Sequence, residues 1–298
     1  MSKHLRLTAL PGIALCAAAF LFSGCLQEPV VQESKNELAQ AAATVGDITL
    51  REDFLPPGQD FWIAGKTVSL NAFVTFSSYV SKIEFFRDGV KLGEMPKANT
   101  NSYTFNYVEN NAGGYNYTAK LTERSGATKT SPLLPVYVWF QYKRSFVPGQ
   151  FIIPDGVDGA GIPMTIPSSP SQKVRDIRVK LYIKHTYLDD LYIVFMNTNP
   201  LPAIQCAIAN RVGGSGDDFG YIGGSVFEPT VFRDDASKSI GDPGSLPPYR
   251  SSYKPSESLL NKFWGKPANG DWLVWIKDLA KYDIGEIRYV EVDVKAGP

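Results

Sequence analysis

Histidine and cysteine are the scarce residues of this 298-residue chain, which holds 2 of the one and 3 of the other. Two imidazoles, His4 and His185, and three scattered thiols, Cys16, Cys25 and Cys206, exclude a zinc site of ordinary composition. Neither sign of charge is in surplus. Lys+Arg and Asp+Glu both count 30, so no basic excess points to nucleic acid. A hydrophobic run of comfortable spanning length is also lacking, which excludes a polytopic membrane protein. In their place stand 26 glycines, 21 prolines and 12% aromatic residues, a turn-rich composition that favours β structure over helix bundles. Hydrophobic content of 44% with 20% charged residues is globular, and the length suits about two domains.

The N-terminus reads as a targeting segment. Lys3 and Arg6 form a positive start, residues 7–22 run apolar without a charge, and the small residues Ser23 and Gly24 follow. Phe22-Ser23-Gly24-Cys25, with Leu21 just ahead, resembles the lipobox of bacterial lipoproteins, although Phe22 stands where leucine is commoner. The resemblance implies cleavage before Cys25 and a diacylglycerol on its thiol, a membrane anchor; ordinary secretion with an incidental Cys25 is the alternative. Leu26 is not the aspartate that marks inner-membrane retention in that family. An outer-membrane lipoprotein of the bacterial cell envelope, periplasmic or surface-exposed, is therefore expected. Removing the signal peptide, residues 1–24, leaves 28 basic residues against 30 acidic, a net charge of −2. With Cys25 lipidated, Cys206 has no partner and no intramolecular disulfide can form. Residues 25–45, rich in Gln, Glu, Ser, Asn and Ala, read as a lipidated stalk.

The first folded unit is expected over residues 46–138. Val68, Leu70, Ala72, Val74 and Phe76 alternate with polar residues, as do Tyr103-Phe105-Tyr107, Tyr115-Tyr117-Ala119-Leu121 and Leu134-Val136-Val138. Arg87-Asp88-Gly89-Val90 supplies the two left-handed positions of a tight hairpin turn. No stretch here shows helical period, so an antiparallel β-sandwich follows. Ile83-Glu84-Phe85-Phe86-Arg87-Asp88-Gly89 with Leu92-Gly93, and Gly114-Tyr115 with Tyr117-Thr118-Ala119 and Ser125-Gly126, resemble the motifs of bacterial immunoglobulin-like modules; Glu123 replaces their usual aspartate. That fold serves as spacer or binding module and fixes no function.

The second unit is expected over residues 140–298. Val174, Ile177, Val179, Leu181 and Ile183 mark an alternating strand, and Leu191–Met196 a continuous apolar run covered on both faces. Trp272–Ile276 and Val290–Val294 give two late strands. The segment 213–255 between them reads as too polar for core and too long for an idle loop. Six motifs then occur in order. His185-Thr186-Tyr187-Leu188-Asp189-Asp190-Leu191, Gly213-Gly214-Ser215-Gly216-Asp217-Asp218-Phe219 and Phe232-Arg233-Asp234-Asp235-Ala236 are the first three. Tyr253-Lys254-Pro255, then Asn269-Gly270-Asp271-Trp272, then Asp278 with Asp283 and Gly285 complete them. Together they resemble the P/Homo B domain of proprotein convertases, with Asp189 for a glycine, Asp218 for an asparagine, Arg233 for an aspartate and Tyr289 near the usual tryptophan. The resemblance implies a jelly-roll-like β-sandwich, so the fold class is all-β throughout.

P-domains usually accompany subtilisin-like proteases, yet a Ser-His-Asp triad needs a histidine base and only His185 survives maturation. No G-x-S-x-G elbow occurs, and both folded units are accounted for, so no enzyme is expected. The acid-rich loops invite a structural Ca²⁺ instead, with Asp190, Asp217 and Asp234 as first candidates and Asp218, Asp278 and Asp283 behind them. Local Asx-turns and caps are the alternative. Tyr137, Trp139, Phe140, Tyr142 and Phe146 gather at the junction of the units as a seam or a ligand platform.

The reading that results is a non-catalytic, lipid-anchored envelope protein whose P-domain binds or stabilises a protein partner, with the Ig-like unit as spacer. Action in trans beside a subtilisin-like serine protease is the alternative, and carbohydrate or surface adhesion a third.

Overall fold

Strands follow one another through the whole computed structural model, which describes residues 47–52, 61–147, 151–156, 158–199 and 201–298. The signal peptide, Cys25 and the stalk over 25–45 lie outside the described residues. The first strands are β1 (Ile48–Glu52), β2 (Trp62–Ile63), β3 (Thr67–Val74), β4 (Val80–Arg87) and β5 (Val90–Pro96). Then come β6 (Ser102–Val108), β7 (Gly113–Glu123), β8 (Thr128–Thr130) and β9 (Leu134–Phe146). The second half begins with β10 (Phe151–Ile153), β11 (Gly159–Ile166), β12 (Lys173–His185), β13 (Leu191–Asn197) and β14 (Ile204–Asn210). Short strands β15 (Tyr221–Gly223), β16 (Val226–Glu228), β17 (Thr230–Phe232) and β18 (Ser252–Tyr253) precede a helical turn, α1 (Leu259–Phe263). The chain closes with β19 (Gly270–Asp278) and β20 (Gly285–Gly297). The protein is all-β.

The expected alternation builds the first sandwich. Leu70, Ala72 and Val74 of β3 point inward with Ile83 and Phe85 of β4 and Tyr117, Ala119 and Leu121 of β7, around Trp62 and Tyr103. Phe76, counted with them in the sequence, lies past the end of β3 and is 43% exposed. Asp88 (φ 49°) and Gly89 (φ 80°) both take left-handed backbone, so the β4–β5 hairpin turns as Asp-Gly dictates. A three-stranded sheet, β1-β3-β6, forms one layer.

The other layer continues into the second sandwich. Strand β9 pairs β7 through Leu134–Val138 and pairs β20 through Phe140–Phe146. The sheet thus runs β18-β17-β12-β20-β9-β7-β4-β5 across both cores. The strand expected to end the first unit at Val138 runs on without a break to Phe146. Facing the second half is a four-stranded sheet, β11-β19-β13-β14, and between them pack Ile177, Val179, Leu181, Phe195, Trp272, Val274, Ile276 and Val292.

The segment 213–255 corrects its sequence reading. Phe219, Phe232, Ile240, Tyr249 and Tyr253 are all buried in the second core, with Phe219 stacked on Tyr249 at 5.2 Å. Phe219, Ile240 and Tyr249 are single plugs in loops, while Phe232 and Tyr253 end strands of three and two residues, too short for periodicity to announce them; burying one such Phe or Ile supplies about 1.5–3 kcal/mol.

Candidate functional site

Most of the residues singled out in the sequence converge where β12, β19 and β20 meet. His185 ends β12, Asp278 ends β19 and Gly285 opens β20. The His185 Nε2 lies 3.0 Å from Asp278 Oδ2, and both side chains are fully buried. The Tyr187 backbone N–H donates to His185 Nδ1 at 3.1 Å. An Nδ1 that accepts is unprotonated, so the ring is neutral and its proton sits on Nε2, donated to Asp278. The second Asp278 oxygen accepts the Ala280 N–H at 3.2 Å. Gly285 leaves room for the ring: a Cβ there would stand 2.5 Å from His185 Cδ2 and 2.8 Å from Ile153 Cδ1.

The surrounding loops are tied to this pair. The His185 N–H donates to Asp218 Oδ1 at 3.0 Å, and Asp218 takes a left-handed φ of 66° to accept it. Burial pushes the Asp218 carboxyl above its ordinary range, against the opposing bond from His185. Thr186 Oγ1 donates to Asp283 Oδ1 at 2.7 Å. Gly213 (φ 105°) turns the following loop against Leu188 and Tyr249, and Leu188 N–H then donates to Gly216 O at 3.1 Å.

The three first-choice calcium ligands are not brought together. Asp234 caps α1: its oxygens accept the Leu259 and Leu260 N–H groups at 3.1 and 2.6 Å and the Ser258 hydroxyl at 3.0 Å. Asp217 is exposed on the loop beside Asp218. Asp190 is buried and faces Asp278 and Asp283 instead; burial first, then those two carboxylates, push its carboxyl above the usual range. Asp278 spends both oxygens on His185 and Ala280. Among the described residues no three His, Cys, Asp or Glu side chains group so as to hold a metal. Asp218, Asp234 and Asp278 each accept backbone N–H groups, as turn and cap residues do.

Chemically, this end is closed. A general base needs a ring nitrogen facing the substrate, and both nitrogens of His185 are engaged. Its rim is apolar and exposed, with Tyr282 at 94% and Ile284 at 73%. Cys206, the other candidate nucleophile among the described residues, is fully buried, donates to Glu257 O, and is pushed up to about 12 by burial. Sequence reasoning missed the role of Thr186, whose partner Asp283 lies far along the chain, and that of the Ala280 N–H, whose partner Asp278 is two residues away. It also missed Arg175 and Trp264, which line an aromatic cleft at the opposite end of β12 with Tyr137 and Trp139.

Residues 56–119 match the family model for the bacterial Ig domain. No curated protein matches the chain. Among solved structures, fibronectin(III)-like modules of CbhA from Clostridium thermocellum are similar at 27% identity, over 31% of this chain and 94% of that one, with a TM-score of 0.26. The Aeromonas sobria serine protease in complex with its chaperone is similar at 13% identity, over 61% of this chain, with a TM-score of 0.34. The match covers only 37% of that protease's chain. No helix among the described residues is long and apolar enough to cross a membrane.

Proposed function

We propose that this is a non-catalytic protein of the bacterial cell envelope, held by a diacylglycerol on Cys25, whose second sandwich is a P/Homo B-type domain that binds a protein partner. The Ig-like sandwich serves as its spacer. One observation carries this reading: the His185–Asp278 pair is buried with both ring nitrogens spent, while the loops around it present Tyr187, Leu279, Tyr282 and Ile284 to solvent. Satisfied polar groups beneath an exposed apolar rim suit docking and leave no base for hydrolysis. A subtilisin-like protease acting beside this chain is a partner compatible with the P-domain resemblance.

The test compares the full chain with the Tyr282→Asp/Ile284→Asp double variant in affinity capture from envelope extract. A protein retained by the wild type and lost by the variant is expected, with no labelling of either by a fluorophosphonate. Equal capture by both, or capture by neither, overturns the docking surface. Labelling of a serine that disappears in His185→Ala overturns the non-catalytic reading.

A further inference from the structure

A cleft of about 370 Å³ opens where β7, β9, the start of β12, the residue after α1 and the end of the chain meet, lined by Gly113, Gly114, Tyr137, Trp139, Arg175 and Trp264 beside Pro298. That volume falls in the roughly 300–1,000 Å³ range of small-ligand sites. Strand alternation puts Tyr137 and Trp139 on one face of β9, and Gly114 stands opposite Tyr137 with no side chain to cover its ring. Tyr137 is 61% exposed and Trp264 is 50% exposed. Trp139 is held as a wall: Phe61 stacks on it at 4.1 Å, and Gly297 gives it room where a Cβ would stand 2.8 Å from the ring.

Arg175 is the one charged side chain in the lining. It sits at a register shift of β12, where Val174 pairs with Ala296 and Asp176 with Lys295, so Arg175 has no partner across the ladder. A bulge of this kind re-aims a side chain. Here it swings the guanidinium to within 5.3 Å of the Trp264 ring, where it also donates to Pro298 O. Trp264 is fixed in turn, because the Gly265 N–H donates to Val174 O at 3.0 Å and the Val174 N–H to Lys266 O at 2.9 Å. Arg175 lines the cleft, meets no carboxylate side chain among the described residues, and spends one of its five N–H donors on Pro298 O.

From this arrangement we infer that the cleft binds an acidic saccharide, a pyranose ring carrying a carboxylate. Aromatic faces are electron-rich and take the flat C–H face of a pyranose. A planar guanidinium with open donors pairs a carboxylate bidentately, and one guanidinium without a second cation suits a single carboxylate better than a phosphate. A polyproline-type peptide would satisfy the rings but offer Arg175 no anion. The site lies away from the Tyr282–Ile284 rim and goes beyond the docking function assigned to it.

The experiment titrates the full chain with oligogalacturonate, with its methyl-esterified neutral counterpart and with a proline-rich peptide, following tryptophan fluorescence and calorimetry. Oligogalacturonate is expected to bind and to perturb the tryptophan emission. Tyr137→Ala and Trp264→Ala should each weaken binding about tenfold or more. Arg175→Gln should remove the preference for the acidic over the neutral ligand, while its melting curve stays that of the wild type. Three outcomes overturn the inference: no binding of the acidic ligand by the wild type, equal binding of acidic and neutral forms, or binding unchanged in Tyr137→Ala and Trp264→Ala. Binding of the peptide in place of the saccharide also overturns it and makes the cleft a peptide site. The Tyr282→Asp/Ile284→Asp variant should bind oligogalacturonate normally, which keeps a failure here distinct from a failure of the docking surface.

Discussion

The two ends of β12 make opposite use of their polar groups. At the His185 end they are largely paired with one another: imidazole to Asp278, Asp278 to Ala280, Thr186 to Asp283, Asp218 to the His185 backbone. At the Arg175 end a half-buried guanidinium that donates to Pro298 O lines a cleft beside two exposed aromatic side chains, Tyr137 and Trp264. Motif density in the sequence is highest at the first end, and that end is where the structure is most self-sufficient. A buried polar network that satisfies itself rigidifies loops, whereas a cation with donors to spare beside exposed rings has interactions still to make.

Breaking the closed end should be costly in a graded way. Asp278→Ala strands the His185 Nε2–H and the Ala280 N–H in the interior, and stability should fall by about 2–3 kcal/mol in urea denaturation of the full chain. An unchanged midpoint would show that water replaces the carboxylate and that the pair is not what holds the loops. Gly285→Ala pushes a methyl into His185 and Ile153, and about 1–3 kcal/mol should be lost by the same measurement. A loss well below that of Asp278→Ala would show that the ring can shift on its hydrogen bonds.

The smallest effect should have the opposite sign. The Asp190 carboxyl titrates higher in the fold than in the unfolded chain, so the native state binds more protons in that window and stability falls as pH rises through it. Asp190→Asn should therefore melt slightly higher than the wild type at neutral pH, and the gain should vanish below the ordinary carboxylate range. Calcium and EDTA should give superimposable melting curves. A calcium-dependent rise that Asp190→Asn abolishes would mean the loop closes around an ion after all.

Local rules carried much of this. Alternation located the strands on both sides of the junction, and Asp88-Gly89 located its hairpin, because both depend on near neighbours. Long-range partners were not legible. Nothing near Asp234 says that it caps a helix starting at Leu259, and nothing near Val138 says that β9 exchanges β7 for β20 two residues on. The register shift that frees Arg175 depends on β20, far along the chain. The motifs drew attention to the aspartates, of which Asp234 caps α1 and Asp218 and Asp278 accept backbone N–H groups.

Because β9 runs unbroken from one core to the other, leaving its ladder with β7 and entering its ladder with β20, one continuous strand joins the two sandwiches at Trp139. Tension between the two sandwiches would pass along β9 from its ladder with β7 to its ladder with β20, each of which bears the full load. A flexible linker would let such a pull reorient the far half first; here one of the two ladders has to yield before the aromatic cleft changes its aim.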